Sequence, residues 1–282
     1  MTGSWFEETL YPDFGQRLKI SNVLHREKTD YQDLIIFENP QFGRVLALDG
    51  NVQTTEGDEF FYHEMLNHPA ILAHGEVKRV LIIGGGDGGA LREALKHPIE
   101  KATMVEIDPS VIELSKQYLP TLSAGAFDDP RTELIIWDGT KFVAETDERF
   151  DVIIVDSTDP VGPAKVLFQE EFYTNCKRCL TERGILITQS GVPFLQGEEA
   201  RDVHRRLRSL FADNGFLMVP VPTYVGGFMA IGWASLSEAN RATPREAIEQ
   251  RYASAQISTR YYNPDIHFAA FALPNYIREL MG

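Results

Sequence analysis

Between a strand-like run, Arg79 to Ile83, and a helix-like run, Gly89 to Lys96, the chain reads Gly84-Gly85-Gly86-Asp87-Gly88-Gly89. A glycine cluster at a strand-to-helix turn restricts the fold more than any other feature. It satisfies G-x-G-x-x-G through Gly84, Gly86 and Gly89, where side chains would block close approach of a ligand to the backbone at the helix N-terminus. Glu106 follows near the end of the next strand-like run, Ala102 to Ile107, where an acid can meet a ribose. Further strand-like runs at Thr132 to Trp137, Phe150 to Asp156 and Gly184 to Gln189 alternate with helix-like runs at Pro109 to Tyr118, Gly139 to Glu145 and Gln169 to Leu180. That alternation predicts an α/β doubly wound, mostly parallel sheet. The helix-like run Gly197 to Ala212 and two later runs, Phe216 to Val221 and Phe228 to Ala234, are expected to close it.

Ahead of this pattern the chain alternates apolar and polar residues over Leu18 to Leu24, Asp33 to Phe37 and Arg44 to Leu48, with turn signals at Asn39-Pro40 and Asp49-Gly50-Asn51. Residues 1–57 are therefore expected to form a small antiparallel β domain, and residues 58–282 a Rossmann-like catalytic domain. A helix from Asp58 to His74 would bridge the two and carry Tyr62 and His63 on its first turns. The longest apolar runs, such as Val80 to Ile83, are too short to cross a bilayer, and the first residues show no basic or apolar leader, so a cytoplasmic protein off the membrane is expected. A formal charge of −14 repels phosphate backbones and draws small cations, which disfavours a nucleic-acid partner, although acidity also serves solubility. The only two cysteines, Cys176 and Cys179, sit late in a helix with no second Cys/His cluster, and are read as reduced structural residues.

The acids sharpen the site. Asp87 stands in the loop that would cradle a pyrophosphate and would repel it, whereas a sulfonium or ammonium would gain from it. This weighs against a nicotinamide-dependent oxidoreductase. Asp138-Gly139, at the end of another strand, fits either a helix N-cap or an acceptor for an adenine amino group. Asp156-Ser157-Thr158-Asp159-Pro160 follows a strand whose carboxyl end opens on the same crevice, and Val161 to Lys165 suits a lid. Together these features describe an adenosine with a positive tail.

At this point the chain resembles the spermidine synthase branch of the aminopropyltransferases, which use a methyltransferase-like fold. The resemblance runs through Gln32-Asp33, Tyr62-His63-Glu64, the Gly84 to Gly89 loop, Val105-Glu106-Ile107-Asp108, Asp138-Gly139, Asp156 to Asp159 and Pro222-Thr223-Tyr224. It implies transfer of an aminopropyl group from decarboxylated S-adenosylmethionine to putrescine, with no tightly bound cofactor and no metal. Gln32, Gly84, Gly86, Asp87, Glu106, Asp138, Gly139 and Pro163 would hold the co-substrate. His63, Asp87, Asp156, Ser157, Thr158, Asp159 and Tyr224 would surround the amines, with Asp156 as proton acceptor and Tyr62 and Tyr224 beside it. Crowding with Asp159 and partial burial should raise the proton affinity of Asp156. A homodimer or homotetramer is implied as well. The rivals are a methyltransferase using intact S-adenosylmethionine, whose tail carboxylate Asp87 would repel, and a silent polyamine-binding protein, against which the presence of Asp156 counts.

Overall fold

The amino-terminal alternation folds into two antiparallel sheets in the computed structural model, which describes residues 4–159 and 162–282, without the side chains at 162 and 163. β1 (Trp5–Glu7) pairs with β2 (Arg17–Lys19), and β3 (Asn22–Lys28), β4 (Asp33–Asn39), β5 (Gly43–Leu48) and β6 (Asn51–Thr55) form a four-stranded meander. The single run expected over Leu18 to Leu24 is thus two strands in different sheets. The chain changes partner there: the Ile20 amide donates to the Ser4 carbonyl and the Ser21 amide to that of Glu38. Asp49 (φ 49°) and Gly50 (φ 78°) supply the two left-handed residues of a tight hairpin turn between β5 and β6.

α1 (Glu59–His74) then leads into β7 (Arg79–Gly84), α2 (Gly89–Leu95), β8 (Lys101–Glu106), α3 (Pro109–Tyr118), α4 (Pro120–Ser123), β9 (Thr132–Ile136), α5 (Gly139–Glu145) and β10 (Phe150–Asp156). After these come α6 (Glu170–Arg178), β11 (Leu180–Gln189), α7 (Gly197–Leu210), β12 (Asp213–Pro220) and β13 (Phe228–Ser235). The larger sheet has the order β12-β13-β11-β10-β7-β8-β9, parallel from β11 to β9, with β13 and β12 antiparallel at one side. The closing strands are therefore those expected. α8 (Arg245–Ala255), α9 (Pro264–Ala269) and α10 (Asn275–Met281) complete the described chain.

Both faces of the larger sheet are buried, which is why its strands read as continuous apolar runs. Val80 and Ile82 of β7 point to the core beneath α1 and α2, while Leu81 and Ile83 point to that beneath α5 and α6. A third core joins the four-stranded sheet to the rest: Leu34, Ile36, Leu46 and Leu48 pack on Val111, Leu114, Leu119 and Leu122 of α3, α4 and their junction. Cys176 and Cys179 are free and buried, and burial pushes both thiols up, away from thiolate. Among the described residues no helix is long and apolar enough to cross a membrane.

The order of strands reverses at β7 and β10. From β7 the chain steps outward to β8 and β9, then returns to β10 on the other flank. Ligands bind outside the carboxyl ends of strands at such a switch point. In register, Asp156 lies opposite Gly84, so the glycine loop and the second acidic cluster face each other.

Candidate active site

A cavity of about 420 Å³ opens at this switch point. Its walls include Tyr62, His63, Gly84, Gly86, Asp87, Glu106, Asp138, Gly139, Asp156, Ser157, Thr158, Asp159 and Tyr224, together with Gln32 from the four-stranded sheet. Each residue expected to hold the co-substrate or the amines therefore lines one space except Pro163, whose side chain lies outside the described residues; Gly89, the last glycine of the motif, is not part of the lining. Of the expected lid, Val161 also lies outside them, as does Pro160 before it, while Gly162–Phe168 is a 3-10 helix whose Ala164 reaches the cavity.

The glycines are also required by their neighbours in the protein. Gly84 (φ 82°) has a conformation that disfavours any side chain, and a Cβ there would lie 2.2 Å from the Asp156 carbonyl oxygen. A Cβ at Gly89 would lie 2.2 Å from the His63 ring, one at Gly86 2.7 Å from Val111, and one at Gly139 2.4 Å from Ile83.

At the centre, the Tyr62 hydroxyl donates to Asp156 Oδ1 at 2.9 Å. Burial is the main influence on Asp156 and raises its pKa. His63 and the Tyr62 hydrogen bond pull the other way, Asp87 adds to burial, and the carboxyl is pushed up to about 6. The expected crowding thus comes from Asp87; Asp159 instead accepts from Gln196 at 2.8 Å and Gln189 at 3.3 Å. His63 is 2% exposed and lies between two carboxylates, with Nδ1 2.7 Å from Glu59 and Nε2 3.4 Å from Asp87. Burial opposes its charge, but Asp87 and then Glu59 outweigh burial and raise the ring well above the ordinary histidine value. In turn Asp87, which burial alone would raise, is lowered by His63 and by the Gly89 amide, which donates to it at 2.7 Å. The acid expected to face a substrate cation also has a partner in the protein. Among the described residues, His63, Asp87 and Asp156 offer atoms within 4.8 Å of one another, close enough to share a metal ion.

Tyr224 is fixed from the start of α1. Asp58, the N-cap residue of α1, accepts from the Thr223 amide at 2.8 Å and the Thr223 hydroxyl at 2.7 Å, while Thr55 donates to its other oxygen. The Tyr224 ring stands edge-on to Tyr62 at 5.8 Å, and its hydroxyl donates to the Gln53 carbonyl at 2.8 Å rather than to Asp156.

At one end of the cavity, Gln32 donates to Asp108 at 2.9 Å, and the Asp108 amide donates to Glu106. Burial pushes Glu106 up to about 7 despite that bond. Asp138 Oδ1 caps α5, accepting from the Thr140 amide and hydroxyl, which leaves Oδ2 unused in the cap. At the other end stand residues that the sequence reading missed: Glu8, Tyr11, Gln53, Gln189 and Gln196. Burial raises Glu8 against a 2.7 Å bond from Gln16. Gln189 ends a parallel strand and was findable by the switch-point rule; Glu8 and Tyr11 sit in an aperiodic segment that offered no signal. Tyr11 Oη, Ser157 Oγ and Gln189 Oε1 are buried in this lining without a hydrogen-bond partner among the described residues, as befits atoms that meet a ligand.

A doubly wound sheet with an acid-lined cleft at its switch point and a base-like carboxylate at the centre defines a group-transfer enzyme of methyltransferase-like fold. Residues 59–243 match the family described as the spermine/spermidine synthase domain, and residues 4–56 that described as the spermidine synthase tetramerisation domain. Polyamine aminopropyltransferase 1 of Pseudomonas aeruginosa is 58% identical over 98% of this chain and 97% of its own. The polyamine aminopropyltransferase of Pseudomonas syringae pv. tomato is 55% identical over 96% of each. A crystal structure of spermidine synthase in complex with the transition state analogue AdoDATO superposes with a TM-score of 0.95 at 39% identity, covering 100% of this chain and 96% of that one. Spermidine synthase from Thermotoga maritima gives 0.92 at 38% identity, covering 100% and 95%. The chain belongs to the spermine/spermidine synthase family and is an aminopropyltransferase.

Proposed function

We propose that the enzyme transfers the aminopropyl group of decarboxylated S-adenosylmethionine to putrescine, giving spermidine and methylthioadenosine by direct displacement with Asp156 as proton acceptor. The observation that carries this reading is the Tyr62–Asp156 pair at the middle of a cavity with a nucleoside-like end and an acidic, amine-like end. Glu106 would accept from the ribose hydroxyls, Asp138 Oδ2 from the adenine amino group, and Gln32 and Gly139 would line that end. Asp87 would draw the aminopropyl ammonium. Asp159, with Glu8 behind it, would draw the far ammonium of the diamine.

An alkyl ammonium with a pKa near 10 is neutral only about one part in a thousand at pH 7, so the attacking nitrogen must give up a proton. Asp156, raised by burial, narrows the proton-affinity gap to the amine by roughly two of its six pH units. Tyr62, itself held neutral by burial and by the Asp156 charge, keeps the carboxylate oriented. The nitrogen then attacks the methylene beside the sulfonium, the carbon–sulfur bond breaks, and methylthioadenosine leaves as a neutral thioether that needs no acid. Orientation of the two ligands supplies much of the remaining rate.

The test mixes purified enzyme and putrescine with decarboxylated or intact S-adenosylmethionine and follows products by mass spectrometry. Spermidine from the decarboxylated donor alone is expected; N-methylputrescine from the intact donor would overturn the reading. We also infer that residues 1–57 and 58–282 are separate domains, that the protein assembles as a homodimer or homotetramer, and that it works in the cytoplasm. The first is supported by the end of β6 at Thr55, and the second by the match to a tetramerisation domain.

A further inference from the structure

Behind His63, outside the cavity wall, buried charges of alternating sign run inward from the site. Glu59 Oε2 meets both His63 Nδ1 at 2.7 Å and Arg92 Nη2 at 2.8 Å. Arg92 in turn meets Glu93 Oε1 at 2.8 Å, and the other Glu93 oxygen lies 2.9 Å from His68 Nε2 and 2.7 Å from Lys96. The side chains of Glu59 and Arg92 are only 10% and 16% exposed, and neither residue lines the cavity. Burying a Glu–Arg pair costs solvation that its mutual attraction often fails to recover, so stability alone is a weak reason for its presence. The pair does one thing no hydrophobic substitute could: it gives His63 a carboxylate that cannot turn away.

We propose that Glu59 and Arg92 are positioning residues for the transfer reaction: Arg92 pins Glu59, Glu59 holds the His63 ring turned to Asp87, and the ring so placed acts on Asp156. The inference rests on the reading of Asp156 as proton acceptor. The ring is faced by Glu59 and Tyr62 from its own helix, by Asp87 from the glycine loop and by Asp156 from β10, while Arg92 of α2 reaches Glu59 and Tyr224 of the β12–β13 connection reaches Tyr62. With the ring charged, Asp156 holds its proton less tightly than burial and Asp87 would otherwise dictate. Neutralising Glu59 removes one of the two carboxylates that favour the charged ring, so the ring holds its proton less tightly and Asp156 binds one more tightly.

The isosteric Glu59→Gln variant tests this. The acid limb of kcat/KM is expected to move up by about one pH unit, so that activity falls about fivefold at pH 6 and recovers at alkaline pH. Imidazole nitrogen NMR should show the His63 ring protonated across neutral pH in the parent enzyme and titrating there in the variant. Arg92→Gln should act in the same direction, and Arg92→Lys should restore most of the parent profile; this pair also serves if Glu59→Gln does not fold. Equal loss at every pH with an unchanged His63 titration would reduce the pair to a structural role and overturn the proposal. A shifted His63 titration with an unmoved acid limb would overturn its link to Asp156. Failure of Asp156 as the acceptor would show separately, as full turnover in Asp156→Asn.

Discussion

Single carboxyl groups decide the chemistry here, and each is set by its own surroundings. Asp156→Asn keeps the size of the side chain and its place beside Tyr62 but removes proton acceptance; turnover should fall at least ~10²-fold while methylthioadenosine still binds, as steady-state kinetics and calorimetry would show. In the parent enzyme kcat/KM should decline as pH falls through about 6, because protonated Asp156 cannot accept. Glu106 makes a different prediction. Burial raises it to about 7, so the stability tied to its protonated form is complete below the ordinary glutamate range and is lost as pH rises through 7. Ribose hydroxyls that donate to Glu106 favour its charged form, and methylthioadenosine should therefore release a fraction of a proton on binding at pH 6.5. Calorimetry in two buffers of different ionisation heat measures that; equal heats would remove the contact.

At the scale of elements, α1 does two jobs that its sequence motif does not separate. Tyr62 and His63 face the cavity, but Glu64, next in the chain, turns away and accepts from the backbone amides of Arg260, Tyr261 and Tyr262 at 2.7, 2.8 and 2.7 Å. Glu64→Ala should orphan three donors and lower the thermal midpoint by several degrees, with little change in KM. Gly89→Ala should act at the other end, driving the His63 ring from its place and cutting transfer by about 10²-fold with the fold intact. The strands and helices from β7 to β13 were legible because a sheet covered on both faces writes unbroken apolar runs between helix caps such as Asp108 and Asp138. The site was legible where it sits on the ends of those strands. α8 left no such trace, since it buries only Ile248, and the parts of the cavity contributed by Glu8 and Tyr11 come from a stretch whose place is fixed by distant partners such as Gln16 and Gly50.

In the molecule as a whole, the cavity is completed by a four-stranded sheet that reaches it through Gln32, Leu48 and Gln53 and is anchored by the core shared with α3 and α4. Leu114→Asp would place an unpaired charge in that core. The expected result is early proteolytic cleavage near residue 57 and loss of methylthioadenosine binding while the larger sheet persists, read by limited digestion and circular dichroism. Light scattering on the parent protein should give a mass that is a multiple of 31.8 kDa. The shared core also has a consequence during synthesis. The apolar face of the four-stranded sheet is made first, but its cover, ending at Leu122, leaves the ribosome roughly 67 residues after Thr55, about 3 to 13 seconds later at ordinary elongation rates. For that interval Leu34, Ile36, Leu46 and Leu48 have only other nascent chains or a chaperone to meet, so codon choice between 56 and 122 should influence how much of this enzyme reaches its native state.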